Sequence, residues 1–177
     1  MSDTAVPQEI LDQLDEAGDL TEVGLVVRTA ARRLTGAKGA TFVLRDGEHC
    51  FYADEDAIAP LWKGQRFPLT SCISGWAMIN GETAIVPDIE VDARIPLAAY
   101  RPTFVRSLAM APVGTPTPVA AIGAYWSFAR TPAPEEVARL EALAAAAGEA
   151  IARIGLADAP WAPSFAIGDV AGEAAVS

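Results

Sequence analysis

The side chains with chemical capability are two cysteines, one histidine, and the carboxylates, guanidinium groups and rings gathered in FPLTSCISGWAMINGETAIVPDIEVDARIPLAAYRPTFVRSLAMAPV, residues 67 to 113. His49 is the sole histidine and follows the Asp46-Gly47 turn signal at a strand start, where a solvated residue is expected. A general base needs partners in fixed geometry, and nothing in the sequence supplies them around it. Cys50 and Cys72 make neither a disulfide framework nor a zinc spacing. Cys72 falls near a predicted helix N-terminus, where backbone N–H groups favour a thiolate. The reading adopted is a buried structural thiol, the ordinary fate of a free cysteine. A thiol-based redox sensor using Cys72 is the alternative.

The polar residues Asp88, Asp92, Arg94, Arg101 and Arg106 cluster in one segment that crosses between two predicted strands. Each has an ordinary role available: Asp88 caps a turn, Asp92 pairs with Arg94, and Arg106 flanks a strand. Taken with Trp76, Tyr100, Phe104 and Tyr125, they have the make-up of a small-molecule site, a mainly apolar wall with a few polar fixing groups. The candidate ligand-binding residues are therefore Phe42, Trp76, Asp88, Tyr100, Phe104, Arg106 and Tyr125. No catalytic residue, metal ligand or cofactor is assigned.

The elements that must position these groups follow from periodicity. A short helix over residues 7–17, with Ile10, Leu11 and Leu14 on one side, is expected to need a partner for order. Asp19 and Glu22 read as a capping box for a helix with Leu20, Val23, Val27, Ala30 and Leu34 along one seam, ended by Thr35-Gly36. A hairpin follows, with Ala40, Phe42 and Leu44 on one face of its first strand and its second strand over residues 49–53. Residues 54–64 suggest one or two helical turns, and residues 65–69 an edge strand, because Pro68 removes a ladder donor. Thr70 or Ser71 caps a short helix carrying Trp76, Ala77 and Ile79, which Gly81 stops. Brief strands over 83–86 and 107–113 bracket the long crossing, a length that usually marks a binding loop. A turn at 114–118 leads to a central strand, residues 119–128, apolar on both faces and thus covered on both sides. A last helix opens at Thr131 and runs to Ile154, with Val137, Leu140, Ala144, Ala147, Ile151 and Ile154 at bundle spacing. The domain organisation expected is an N-terminal extension (1–18), one domain (19–154), and an Ala, Pro and Gly-rich tail (155–177) with Trp161 and Phe165 as anchors.

At 177 residues the chain suits one domain with a full core. A formal net charge of −10 argues against nucleic acid and anionic membrane as partners. Arg28, Arg32, Arg33 and Lys38 form the nearest thing to a basic cluster and are read as a solvated helix face. No apolar run approaches the ~20 residues of a membrane span, and the acidic start is unlike a secretory signal, so a cytoplasmic location is expected.

The capped helix SGWAMING, strand TAIVPDI, loop DARIPLAAYRPTFVRS, strand LAMAPV and later strand AIGAYWSF, in that order, resemble a GAF domain over roughly residues 20 to 154. The likeness is to the GAF modules of bacterial sensor histidine kinases. It implies an α+β fold: a central antiparallel sheet of five or six strands, terminal helices on one face, and short helices with the long crossing loop on the other. It also implies non-enzymatic sensing of an unidentified small molecule, signalling through the terminal helices of a homodimer, and a separate signalling protein such as a histidine kinase. A ligand-free dimerisation or interaction module is the alternative. Haem- or bilin-binding relatives need a histidine or attachment cysteine that residues 88–104 lack. GAF enzymes reducing free methionine sulfoxide carry a cysteine before the glycine that Gly75 resembles, and Ser74 stands there instead. The NKFDE-type signature of cyclic-nucleotide phosphodiesterases is also missing.

Overall fold

The structure, a computed structural model, describes residues 3–156. The expected tail and its Trp161 and Phe165 anchors lie outside the described residues. In chain order the elements are α1 (Gln8–Glu16), α2 (Leu20–Thr35), β1 (Gly39–Asp46), β2 (His49–Ala57), β3 (Arg66–Pro68), α3 (Ile73–Asn80), β4 (Ala84–Val86), α4 (Leu97–Tyr100), β5 (Ser107–Val113), β6 (Ala120–Trp126) and α5 (Pro134–Ile154). The six strands form one antiparallel sheet in the order β3-β2-β1-β6-β5-β4, with β1 and β6 at its centre.

Side-chain alternation divides the interior into two cores. Ala40, Phe42 and Leu44 of β1, Ala109 and Ala111 of β5, and Ala120, Ile122, Ala124 and Trp126 of β6 meet α1, α2 and α5 on one face. Val43, Leu108, Met110, Ala121 and Tyr125 face the other way, toward α3, the crossing segment and the loop after β2. The expected division of terminal helices from the crossing segment is therefore present.

Four local expectations are corrected. Residues 54–57 continue β2, and the loop that follows contains no helical turn. Instead, Glu55 accepts the backbone N–H groups of Leu61, Trp62 and Lys63 at 2.9–3.0 Å, so a carboxylate closes the loop where helical carbonyls would have done so. The N-cap of α3 is Cys72, because Leu69–Ser71 form a 3-10 turn of their own. The basic side of α2 is paired rather than merely solvated: Arg28 and Arg32 meet Asp54 and Asp56 at 2.9 Å, and Arg33 meets Glu9 at 2.7 Å. Finally, α1 is ordered by its own chain. Ile10 and Leu14 are buried in the core shared with α2 and α5, and Arg153 donates to the Leu14 carbonyl oxygen at 2.8 Å.

An irregularity in the β1–β2 register sets which β2 residues reach which core. Phe42 pairs with Asp54 and Val43 with Tyr52, leaving Ala53 as an extra residue. The bulge reverses the alternation beyond it. Cys50 and Tyr52 thus face the second core, and Asp54 and Asp56 turn to the arginines of α2.

Candidate functional site

Between the sheet and the crossing segment lies an aromatic cluster centred on Trp62. Its ring stands 5.6 Å from Tyr52, 4.6 Å from Tyr100 and 5.5 Å from Tyr125, and its Nε1–H donates to the Ala99 carbonyl oxygen at 3.0 Å. Tyr52 also meets Phe67 edge-on at 5.5 Å. Trp62 is held there by the Glu55 clasp on its own N–H, so the acidic end of β2 positions the ring that fills the compartment. Gly123 serves the same cluster. A Cβ at that position would lie 2.5 Å from the Tyr125 hydroxyl and 2.8 Å from Thr41 Oγ1, which bond each other at 2.9 Å. The small residues of β6 thus leave room for the rim of a tyrosine on the same strand.

All three tyrosines of the sequence, Tyr52, Tyr100 and Tyr125, are buried here. Burial, which disfavours the charged phenolate, is the main cause that raises each above the ordinary tyrosine value. Their hydroxyls differ in satisfaction. Tyr125 has Thr41, and Tyr52 has the Ser74 hydroxyl at 3.0 Å. The Tyr100 hydroxyl is buried with no hydrogen-bond partner, a state that is rare for native polar groups.

A chain of polar atoms enters the cluster from α3. Cys50 Sγ and Cys72 Sγ are 3.2 Å apart, Cys72 Sγ lies 3.3 Å from Ser74 Oγ, and Ser74 Oγ reaches Tyr52. Both cysteines are free and buried. The hydrogen bond from Cys50 is the largest influence lowering the Cys72 thiol to about 7, joined by Ser74 and the backbone N–H groups of Gly75 and Ser74, against the opposing effect of burial. Cys50 is pushed the opposite way, first by that same bond and then by burial. Gly75 permits this arrangement. A Cβ there would overlap the Leu69 carbonyl oxygen, so only glycine lets the first turn of α3 sit on the 3-10 turn before it.

The sequence-derived site residues are not all brought together. Tyr100 and Tyr125 join the cluster through Trp62. Trp76 and Phe104 lie half-buried at the border of that core, with the Arg94 guanidinium stacked 4.5 Å from the Trp76 ring centroid. Phe42 is corrected to the opposite face, against α2, because β1 alternation places Thr41 and Val43 toward the crossing segment. Asp88 accepts the Glu90 N–H at 3.0 Å as a turn cap, and exposed Arg106 donates to the Thr103 and Val105 carbonyl oxygens, so neither reaches the cluster. Asp92 pairs with Arg94 at 2.7 Å, which lowers Asp92 below the usual carboxylate range. The residues missed were Trp62, Tyr52 and Thr41, together with the approach of Cys50 to Cys72. A loop tryptophan beside an acidic strand end was the available signal for the first.

Shallow depressions along α2, one lined by Thr29, Arg32, Arg33, Gly36, Ala37 and Asp56, lie away from this cluster. Among the described residues no group of three metal-ligating side chains occurs, and no helix is long and apolar enough to cross a membrane.

A family model described as GAF domain matches residues 17–152. Among solved structures, the chain is similar to free methionine-R-sulfoxide reductase from Neisseria meningitidis in complex with its substrate, with 18% identity over 87% of this chain and 93% of that one and a TM-score of 0.72. It is similar to the GAF domain of a phosphoenolpyruvate-protein phosphotransferase from Acinetobacter, with 12% identity, 92% and 94% coverage and a TM-score of 0.71. It is also similar to the GAF-B domain of DevS from Mycobacterium smegmatis, with 19% identity, 75% and 92% coverage and a TM-score of 0.62. A search of curated proteins finds no match.

Proposed function

The chain belongs to the GAF domain family, whose members are sensory or regulatory domains, and from that premise we propose that it is a non-enzymatic sensor of a small molecule taken up between the sheet and the crossing segment. The observation that carries this reading is the Tyr100 hydroxyl, buried without a partner on a ring that packs 4.6 Å from Trp62 in the aromatic cluster. Such a group costs about 1–3 kcal/mol until something bonds to it. A ligand that displaces Trp62 and presents a hydrogen-bonding atom to Tyr100 recovers that cost, and aromatic walls with one or two polar fixing points suit a small planar polar molecule. Output passes across the sheet. Leu108 and Met110 face the cluster, and their neighbours Ala109 and Ala111 on the same strand face α5. The terminal helices then act, in a homodimer, on a separate signalling protein such as a histidine kinase.

The test is native mass spectrometry of the chain as purified and after incubation with a deproteinised cell extract, read against the denatured mass. Retention of a species of defined mass by the wild type, weakened in Tyr100→Phe, is the expected result. If neither preparation retains a small molecule, the ligand reading fails and a ligand-free interaction module replaces it. Subunit count is read from the same spectra, and a monomer at high concentration removes the dimer output.

A further inference from the structure

We propose that Cys50 and Cys72 form an oxidisable pair that closes to an intramolecular disulfide on reaction with hydroperoxides, tying β2 to the N-terminus of α3. The inference is independent of the ligand reading. Its basis is geometric: the sulfurs already touch at 3.2 Å, although 22 residues separate them in sequence, and no other cysteine competes for either. The two sites are also unequal. Cys50 is fully buried in the sheet, whereas Cys72 sits at the N-cap of α3 with 6% of its surface exposed, so an oxidant meets Cys72 first.

In the first step the Cys72 thiolate attacks one oxygen of the hydroperoxide. The O–O bond breaks, the departing alkoxide or hydroxide takes a proton to leave as alcohol or water, and Cys72 becomes a sulfenic acid. In the second, the Cys50 sulfur attacks the Cys72 sulfur. The S–O bond breaks, the departing hydroxide takes the Cys50 proton as water, and the S–S bond forms. Two thiols thus lose two electrons and two protons to one hydroperoxide. Neighbouring groups assist: once Cys72 has lost its proton, the Ser74 hydroxyl at 3.3 Å and the Cys50 thiol at 3.2 Å are in place to donate to the thiolate. Ser74 Oγ contacts both Cys72 Sγ and the Tyr52 hydroxyl, so the oxidation state of Cys72 reaches the aromatic cluster through one hydroxyl.

The experiment treats the reduced full chain with hydrogen peroxide, blocks remaining thiols by alkylation, and measures intact mass followed by tryptic peptide mapping. The expected result is loss of two hydrogens, no alkylated cysteine, and a linked pair of peptides containing Cys50 and Cys72, reversed by dithiothreitol. Cys50→Ser stops at a Cys72 sulfenic acid that dimedone traps. Cys72→Ser loses thiol roughly tenfold more slowly or worse, because the thiolate is the reactive form and the remaining Cys50 is fully buried, which favours its protonated thiol. The wild-type mass needs no variant to fold. Both thiols remaining alkylatable, Cys72 passing to sulfinic acid with Cys50 free, or linkage only between chains would each overturn the proposal.

Discussion

Tyr100→Phe and Tyr125→Phe remove the same hydroxyl from the same buried cluster, yet the structure assigns them opposite signs. The Tyr100 oxygen has no partner, so its loss deletes an unsatisfied buried group worth about 1–3 kcal/mol. The void left behind is smaller than a methylene, and at roughly 24 cal/mol per Å³ its cost falls well below that gain. Tyr100→Phe should therefore be more stable than wild type by about 1 kcal/mol, a rise of roughly 2–4 °C in Tm for a domain of this size. The Tyr125 oxygen is bonded at 2.9 Å to Thr41, which is fully buried. Removing it strands the threonine hydroxyl and should cost about 1–3 kcal/mol. Urea unfolding followed by tryptophan fluorescence gives both values, with an unchanged m-value required so that the midpoints report stability alone. A Tyr100→Phe variant destabilised as much as Tyr125→Phe would show that the Tyr100 hydroxyl is paired in solution. The physical basis for a ligand at that position would then be gone.

Alkaline titration gives a second prediction. The folded state holds all three phenols above their ordinary value, mainly through burial, while the unfolded chain releases their protons from about pH 10. Their contribution is complete below that pH and is lost above it, at about 1.4 kcal/mol per tyrosine per pH unit, or about 4 in all. Tyrosinate absorbance should consequently rise in one step that coincides with unfolding by circular dichroism; a separate earlier rise would mean an exposed phenol. Gly75→Ala drives a methyl group into the Leu69 carbonyl and should cost about 3 kcal/mol or more in urea unfolding, with near-normal stability refuting the close contact. Leu14→Ala should cost about 2–4 kcal/mol, and a loss below roughly 0.5 would show that α1 is not docked on α2 and α5 in solution.

Strand alternation and helical seams made the two-faced plan legible, because each depends only on which residues must leave water. In the sequence Ala40, Phe42 and Leu44 read as one face of a strand, while Phe42 also stands among the expected ligand contacts on the other side. That conflict could not be settled from sequence, since a one-residue bulge at Ala53 and the assignment of faces to cores are tertiary outcomes. Trp62 escaped for a related reason. Ile58, Leu61 and Trp62 have the spacing of a helical turn, and the competing structure is stabilised by a single carboxylate, Glu55, reaching three backbone N–H groups six to eight residues away. Local propensity contains no record of such a clasp. The approach of Cys50 to Cys72 likewise needs β3 to bring the chain back along β2, where Cys50 stands opposite Phe67.

That return also explains why the thiols and the phenols belong to one system. β2 contributes Cys50 and Tyr52 to the same face, two residues apart, and α3 contributes Cys72 and Ser74 with the same interval. The paired spacing lets Cys72 meet Cys50 while Ser74 meets Tyr52, at 3.2 and 3.0 Å. A displacement of the first turn of α3 therefore alters both contacts together. Gly75 fixes that turn against Leu69, and Tyr52 packs on Trp62, which in turn touches Tyr100 and Tyr125. Oxidation at one end and a ligand at the other would thus act on the same few side chains. Coupling between them follows if either event shifts α3, and reciprocity then requires ligand occupancy to change the ease of oxidation by the same free energy that oxidation changes binding.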